Sequence, residues 1–403
     1  MRIAFLNGGF GPGKDGVGDY TAALAARCVD LGHECILVGL NDRHVEACEE
    51  SERPCEGGAV RVLRLPATLS WSERVRQAMA FCSGFQPEWI SLQFVAYGYQ
   101  DKGIIAGLLP RLRALVGSRR LQVMIHELWS GGGPDSTFKQ RVVGWVQRFL
   151  VLRLLKELRP EVLQTTLPIH VDLLREAGIH CDLLPLFGSI PRETLDPEGA
   201  MALQLRGPEG VAAPLLGGFF GAFYPEWTPH PLFGILQNVA VQLGRPLRLV
   251  TAGRLSRYSE ALWERLGREF PGIQFIKLGE QPTGALSQYF QLLDFAIPAA
   301  PWHLLGKSSA AAAMIDHGLP LIVSPDPNFG FRGELAIAGD QSLIHRCDGE
   351  LEVKLLAGLP KAAPRSSLAK VSNTFLDALR QPDKTKGAGV GRVRPPGAPV
   401  AHD

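Results

Sequence analysis

The apolar positions of this chain fall into short continuous runs separated by stretches with helical spacing. Residues 3–6 form the first run and reach a glycine-rich loop at 7–18. Tyr20, Leu24, Cys28 and Leu31 then recur at helical intervals, Gly32 stops that helix, and a second run follows at 34–39. A continuous apolar run of this length reads as a strand covered on both faces, and its alternation with helices predicts a parallel sheet with crossover connections. Further strands are predicted at 60–65, 89–94, 122–125 and 162–165, with helices at 73–85 and 138–158. The pattern breaks at 192–208, where acidic, glycine and proline residues read as a hinge or a surface excursion. It resumes with strands at 216–220, 247–251, 273–278 and 295–298 and helices at 232–243, 256–270 and 286–293. The expectation is an α/β chain of two tandem units, 1–188 and 211–365, joined through 189–210. A C-terminal helix at 366–380 can return to the first unit, and the tail at 381–403, rich in Pro, Gly, Lys and Arg, reads as disordered.

Composition narrows the partners. At 403 residues the chain exceeds what one core supports, in keeping with two units. A net charge of +2 with 20% charged residues leaves no basic excess of the kind that binds nucleic acid. Seven cysteines, an odd number with no CxxC pair, indicate neither a disulfide framework nor a zinc site, and a reducing cytoplasm fits. The first apolar run is too short for a signal peptide, and no apolar stretch is long enough to span a bilayer. The predicted helix 138–158 carries Lys139, Arg141, Arg148, Arg153 and Lys156 among Trp145, Phe149, Leu150, Leu152, Leu154 and Leu155, with Glu157 as its one acid. A basic amphipathic helix of this kind can lie on an anionic membrane, although most are ordinary domain surface.

The clearest candidate chemistry is Gly306-Lys307-Ser308-Ser309, opening an apolar helical run that stops at Gly318 before a strand at 321–323. Small residues feeding a helix start offer backbone N–H groups and a positive dipole end, which suit a phosphate. A lysine beside that end is unfavourable unless an anion is present. Two other patterns are weaker. Gly8-Gly9-Phe10-Gly11-Pro12-Gly13-Lys14 approaches a P-loop, but Asp15 replaces the Ser or Thr that would hold magnesium. Gly11, Gly13 and Gly16 spell GxGxxG, yet the loop is long, contains proline, and no acid closes the second strand. Gly16 and Gly18, at the helix start that follows, can allow close backbone approach to a ligand or form an ordinary helix-entry turn.

Together the opening strand, glycine loop and helix ending in Leu31-Gly32-His33-Glu34, the strand ends Ser91–Gly98 and Met124–Trp129, and Phe219–Pro225 resemble the GT-B glycosyltransferases. The likeness is to the retaining, glycogen-synthase-like and sucrose-synthase-like superfamily (family 4 type), over residues 1 to about 380. It implies two facing Rossmann-like domains with an interdomain cleft, and transfer of a sugar from a nucleotide-diphosphate donor, UDP- or GDP-linked. The acceptor would be a glycan, lipid-linked or small-molecule species, and the reaction retaining, without metal or cofactor.

By that resemblance, Gly16, Gly18, Gly306, Lys307, Ser308, Ser309 and Arg254 would hold the donor diphosphate. His126 and Lys307 would be catalytic, and Glu127, Gln93 and Tyr97 would meet acceptor or sugar. His126 also reads as a satisfied core histidine. The chain departs from the family in its Glu-x7-Glu pair: alignment on Gly318-Leu319-Pro320 puts Leu305 and Ala313 there. Ala222 and Trp227 stand near the places of the family's Arg and Lys, with Arg254 or Arg257 as substitutes for the lost charge. These losses leave open a divergent enzyme in which Lys307 and an arginine replace the usual cations, an enzyme whose donor is bound without the ribose carboxylate, or a catalytically inactive carbohydrate- or nucleotide-binding protein. The rival enzyme reading is a P-loop-like hydrolase built around Gly8–Lys14.

Overall fold

The structure is a computed structural model that describes residues 1–131, 136–206, 212–221, 223–324 and 337–381. Ala222 and the tail from residue 382, both named above, lie outside the described residues. The chain divides into two units: residues 1–184 with 374 onward, and residues 185–373.

The first unit begins β1 (Arg2–Asn7), α1 (Gly16–Asp30), β2 (Glu34–Asp42), β3 (Glu49–Cys55), β4 (Gly58–Pro66) and α2 (Trp71–Phe85). It continues β5 (Trp89–Phe94), α3 (Ala96–Tyr99), α4 (Leu108–Val116), β6 (Arg120–Ile125), α5 (Phe138–Leu158), β7 (Val162–Thr165), α6 (Pro168–Glu176) and β8 (Asp182–Leu183). Its eight-stranded sheet has the order β3-β4-β2-β1-β5-β6-β7-β8, parallel except for the β3–β4 hairpin. The sequence gives no sign of β3, because Glu49-Glu50-Ser51-Glu52-Arg53-Pro54 has no apolar face. It forms through pairing with β4 alone, and its charges and proline suit a sheet edge.

The second unit contains α7 (Ala200–Arg206), β9 (Leu215–Phe220), α8 (His230–Leu243), β10 (Leu247–Ala252), α9 (Arg257–Glu269), β11 (Gln274–Gly279), α10 (Thr283–Leu292) and β12 (Phe295–Ala296). A 3-10 turn (Trp302–Lys307) leads to α11 (Ser309–Asp316), β13 (Leu321–Val323), β14 (Ile344–Arg346), α12 (Leu351–Ala357) and α13 (Leu368–Arg380). Its six strands are all parallel, in the order β11-β10-β9-β12-β13-β14. The stretch read as a hinge is anchored here: the amides of Glu193 and Asp196 donate to Ser287 Oγ (2.8 Å) and Gln288 Oε1 (2.7 Å). Ala202 and Leu205 of α7 are buried, which the polar residues around them concealed.

From Thr374 the last helix belongs to the first unit, where Phe375 stacks on Phe5 with centroids 5.7 Å apart. Ser367, just before that helix, belongs to the second: its amide and hydroxyl both donate to the buried Asp316 (3.0 and 2.9 Å).

Candidate functional site

Ligands of parallel sheets gather at the carboxyl ends of the strands, where the strand order reverses. In the second unit β10 and β11 lie to one side of β9 and β12, β13 and β14 to the other, so the reversal falls between β9 and β12. The segment leaving β12 carries the candidate diphosphate residues. Gly306 and Lys307 finish the 3-10 turn instead of opening the helix, and Ser308 N–H closes that turn onto Leu305 O (3.0 Å). Ser308 caps α11, its Oγ accepting from Ala311 N (3.1 Å). The amides of Ser309 and Ala310 are then the first-turn donors without an intrahelical acceptor.

Gly221, directly after β9, has φ of 85°, and a Cβ there would sit 3.8 Å from that of Ala310. The end of β9 and the start of α11 therefore adjoin. Gly253, after β10, is also left-handed, at φ 95°, with an added Cβ 3.5 Å from Gly221 N. Lys307 is half-buried, its Nζ 5.8 Å from the centroid of the Tyr224 ring. Because Lys307 also ends the 3-10 turn, it stands at a carbonyl end as well as ahead of an amide end. The expected penalty for a cation at a helix start is correspondingly offset.

Arg254 is exposed and paired in a fork with Glu280, at 2.7 and 3.3 Å. Leu305 and Ala313, at the family's carboxylate positions, are fully buried. Ala313 backs onto Gly188, where an added Cβ would fall 2.6 Å from Ala313 Cα. Trp227 is also a core residue, set among Phe219, Phe223 and Phe233 with its indole N–H on Ser324 Oγ (3.1 Å).

In the first unit the reversal lies between β1 and β5. The β1–α1 loop meets the β5 exit at Gly8, where an added Cβ would fall 2.6 Å from Gly98 O. The loop's donors are taken by the protein's own acids. Phe10 N–H donates to Asp42 (2.9 Å), Gly13 N–H to Asp19 (3.1 and 3.2 Å), and Val17 N–H to Asp15 (3.0 Å). Asp15, Asp19 and Asp42 thus surround the loop that leads to Gly16 and Gly18, and these acids disfavour the P-loop reading. Gly18 has a packing reason to be glycine, since a Cβ would come 2.7 Å from Gly9 O.

His126 follows β6 directly and is buried, its ring edge-on to Tyr20 with centroids 5.2 Å apart. Burial pushes its imidazole down to about 3, so the ring is neutral. Its Nε2 lies 2.9 Å from Gln93 Oε1, an acceptor, which puts the proton on Nε2 and the lone pair on Nδ1. Gln93 is held in turn. Its Nε2 donates to Ser91 Oγ (2.8 Å), Ser91 to Gln122 Oε1 (2.6 Å), and Gln122 to Gln164 Oε1 (3.1 Å). All four of these side chains are buried. A head-to-tail run of polar side chains through a sheet core satisfies each member and fixes its orientation. Sequence reasoning missed Ser91, Gln122 and Gln164, although each interrupts an otherwise apolar strand.

Tyr97 Oη accepts from Gln147 Nε2 (3.0 Å), a buried side chain of α5 that no sequence signal marked. Glu127 is half-buried beside His126. His126, Gln93, Glu127 and Tyr97 thus share the carboxyl edge of the first sheet, while Gly306 to Ser309 and Arg254 share that of the second. Among the described residues no group of three His, Cys, Asp or Glu side chains is placed to hold a metal ion.

Solved structures match this chain over nearly its whole length. Anabaena HepE, in complex with UDP and glucose, aligns over 96% of this chain and 93% of its own at 14% identity, with a TM-score of 0.51. An α,α-trehalose-phosphate synthase (UDP-forming) from Burkholderia xenovorans, in complex with glucose-6-phosphate, aligns over 94% and 100% at 11% identity and a TM-score of 0.55. A candidate UDP-N-acetylglucosamine 2-epimerase from Listeria monocytogenes aligns over 94% and 96% at 11% identity and 0.52. The fold is GT-B. No protein-family model matches the chain, and no curated protein sequence does. At these identities the likeness is one of fold, and a fold hosts many activities.

Proposed function

We propose that this protein is a glycosyltransferase that moves a sugar from a nucleoside-diphosphate sugar, UDP- or GDP-linked, to a carbohydrate or lipid-linked acceptor. The observation that carries the reading is the start of α11: two open amides, at Ser309 and Ala310, beside Gly221 at the strand-order reversal, with Lys307 adjacent. HepE binds UDP and glucose on the same fold, which supports a diphosphate donor.

In this reading the amides of Ser309 and Ala310 and the Lys307 ammonium take up the negative charge that grows on the leaving diphosphate. Preorganised dipoles and a cation then do this without a metal. Arg254 joins them by exchanging Glu280 for phosphate oxygens. The acceptor and the transferred sugar meet the first unit, where His126, neutral and protonated on Nε2, takes a hydroxyl hydrogen bond at Nδ1 while Glu127 and Tyr97 line the same edge. Gln93, buried with its amide spent on His126 and Ser91, orients the imidazole instead of meeting the ligand. The transfer is retaining in this proposal. The Gly306, Gly16 and Gly18 positions act through backbone shape alone.

The test is release of nucleoside diphosphate from a panel of UDP-, GDP-, ADP- and dTDP-sugars, with and without chelator. Release from one donor, unaffected by chelator and lost in Lys307→Ala, is the expected result. Release that survives Lys307→Ala overturns the site assignment. The second reading, binding without turnover, is favoured by the burial of Leu305 and Ala313 where the family carries acids. It predicts a donor-induced rise in melting temperature with no diphosphate released.

A further inference from the structure

The helix α5 has two apolar faces, and only one is used by the fold. Gly144, Gln147, Val151, Leu154 and Leu155 face inward and are buried. On the opposite side Phe138, Val142, Trp145 and Phe149 are 83, 46, 71 and 57% exposed. Their spacing of four, three and four residues makes one continuous stripe along the helix. At about 100° per residue, Arg141 and Arg148 flank the stripe on one side and Lys139 and Arg153 on the other, with Lys156 continuing it. The helix carries five cations and one acid, Glu157, which is held by Arg113 and Arg153 at 2.7 Å each.

We propose that the outer face of α5 docks on an anionic phospholipid surface. Phe and Trp at the apex enter the headgroup boundary while the flanking Lys and Arg meet lipid phosphates, the pattern of an interfacial helix. The charge argues for lipid over a second copy of this chain. Five cations less one acid leave +4 on the helix, and self-association through this stripe would set +4 against +4. The tail at 382–403 is no better complement, with four Lys and Arg against two Asp.

The inner face ties the stripe to the candidate site. Gln147 donates to Tyr97 Oη and accepts from Ser130 N (2.9 Å) and Ser130 Oγ (3.1 Å), and Gly144 lets Ser130 O approach to where a Cβ would be 2.0 Å away. Tyr97 and Ser130 belong to the segments leaving β5 and β6. Docking of α5 would therefore hold the carboxyl edge of the first sheet at the membrane, and if the transferase reading stands, the acceptor it favours is lipid-borne.

The experiment is vesicle co-sedimentation of the full chain, with phosphatidylcholine alone and with phosphatidylcholine containing phosphatidylglycerol, at low and raised salt. The variants are Trp145→Ser/Phe149→Ser and Lys139→Gln/Arg148→Gln/Lys156→Gln. These side chains are exposed, and melting curves verify that the variants fold. Expected are binding to the anionic vesicles only, weakening with salt, a roughly tenfold or greater loss in each variant, and a blue shift of Trp145 fluorescence absent from Trp145→Phe. Equal binding to neutral vesicles, no binding, or unchanged binding in both variants overturns the proposal, as does a dimer in solution that the apolar variant abolishes. Donor hydrolysis in water, measured in parallel, reports on the transferase reading separately, since vesicle binding with no diphosphate release leaves the docking face standing and that reading fallen.

Discussion

His126 Nε2 lies 2.9 Å from Gln93 Oε1, at the end of a buried chain of side-chain hydrogen bonds that runs through Ser91 and Gln122 to Gln164. The contact fixes which imidazole nitrogen carries the proton. Replacing Gln93 by leucine strands His126 Nε2–H, at a cost of about 1–3 kcal/mol, while the Ser91 hydroxyl keeps its bond to Gln122 and loses only the one it accepts. Nitrogen-15 shifts of the imidazole would show the Nε2–H form in the native protein and a mixture in Gln93→Leu. An unchanged tautomer would mean that Gln93 does not set it.

Burial holds His126 at about 3, below its ordinary 6.5. The unfolded chain therefore takes up a proton that the native ring refuses, and stability falls as pH drops from about 6.5 toward about 3. The loss is on the order of 5 kcal/mol across the window. Urea melts of the native protein and His126→Gln should converge with acidification, because glutamine does not titrate. Parallel curves would show the ring to be solvated.

Asp316 has the opposite sign. Burial raises its carboxyl to about 6, against hydrogen bonds from Ser367 and Gly188 that favour the anion, and its Oδ1 has no partner among the described residues. The native state holds a proton that the unfolded chain releases above about 4, so stability is lost as pH climbs through about 6. Asp316→Asn should gain on the native protein by about 3 kcal/mol between pH 4 and 8. A gap independent of pH would place Asp316 outside this account.

Ala313→Glu restores an acid at a position where the family has one, and it should destabilise the second unit by more than about 3 kcal/mol. The fully buried Ala313 lies against Gly188, with no room for a carboxylate. Thermal melting decides this. A tolerated glutamate with faster diphosphate release would mean that the site simply lost its acid.

Glu280 competes with phosphate for Arg254 in the proposed site. Glu280→Gln should tighten donor binding several-fold, whereas Arg254→Ala should weaken it and leave the melting temperature nearly unchanged, since both partners are exposed. Calorimetric titration with the donor separates the two. Equal affinities in all three proteins would remove Arg254 from the site.

Local pattern settled most of the fold. Apolar runs at β1, β2, β5, β6 and β9, and the helix stops Gly32 and Gly318, each with positive φ, are properties of neighbours in sequence, so periodicity reads them. The Gly306–Ser309 turn was legible for the same reason, though its exact helix start was not, because that depends on the Ser308 hydroxyl reaching Ala311. What tertiary structure alone decided is which side of an element is inside. In α5 the sequence groups Trp145 and Phe149 with Leu154 and Leu155 on one basic amphipathic helix and does not mark Gln147, whereas the fold buries Gln147, Leu154 and Leu155 and leaves Trp145 and Phe149 exposed. Gly144 admits the Ser130 carbonyl, Gln147 satisfies polar groups of two loops, and the aromatic residues are left outside. Burial is conferred by what packs against a side chain, and those partners lie tens of residues away along the chain.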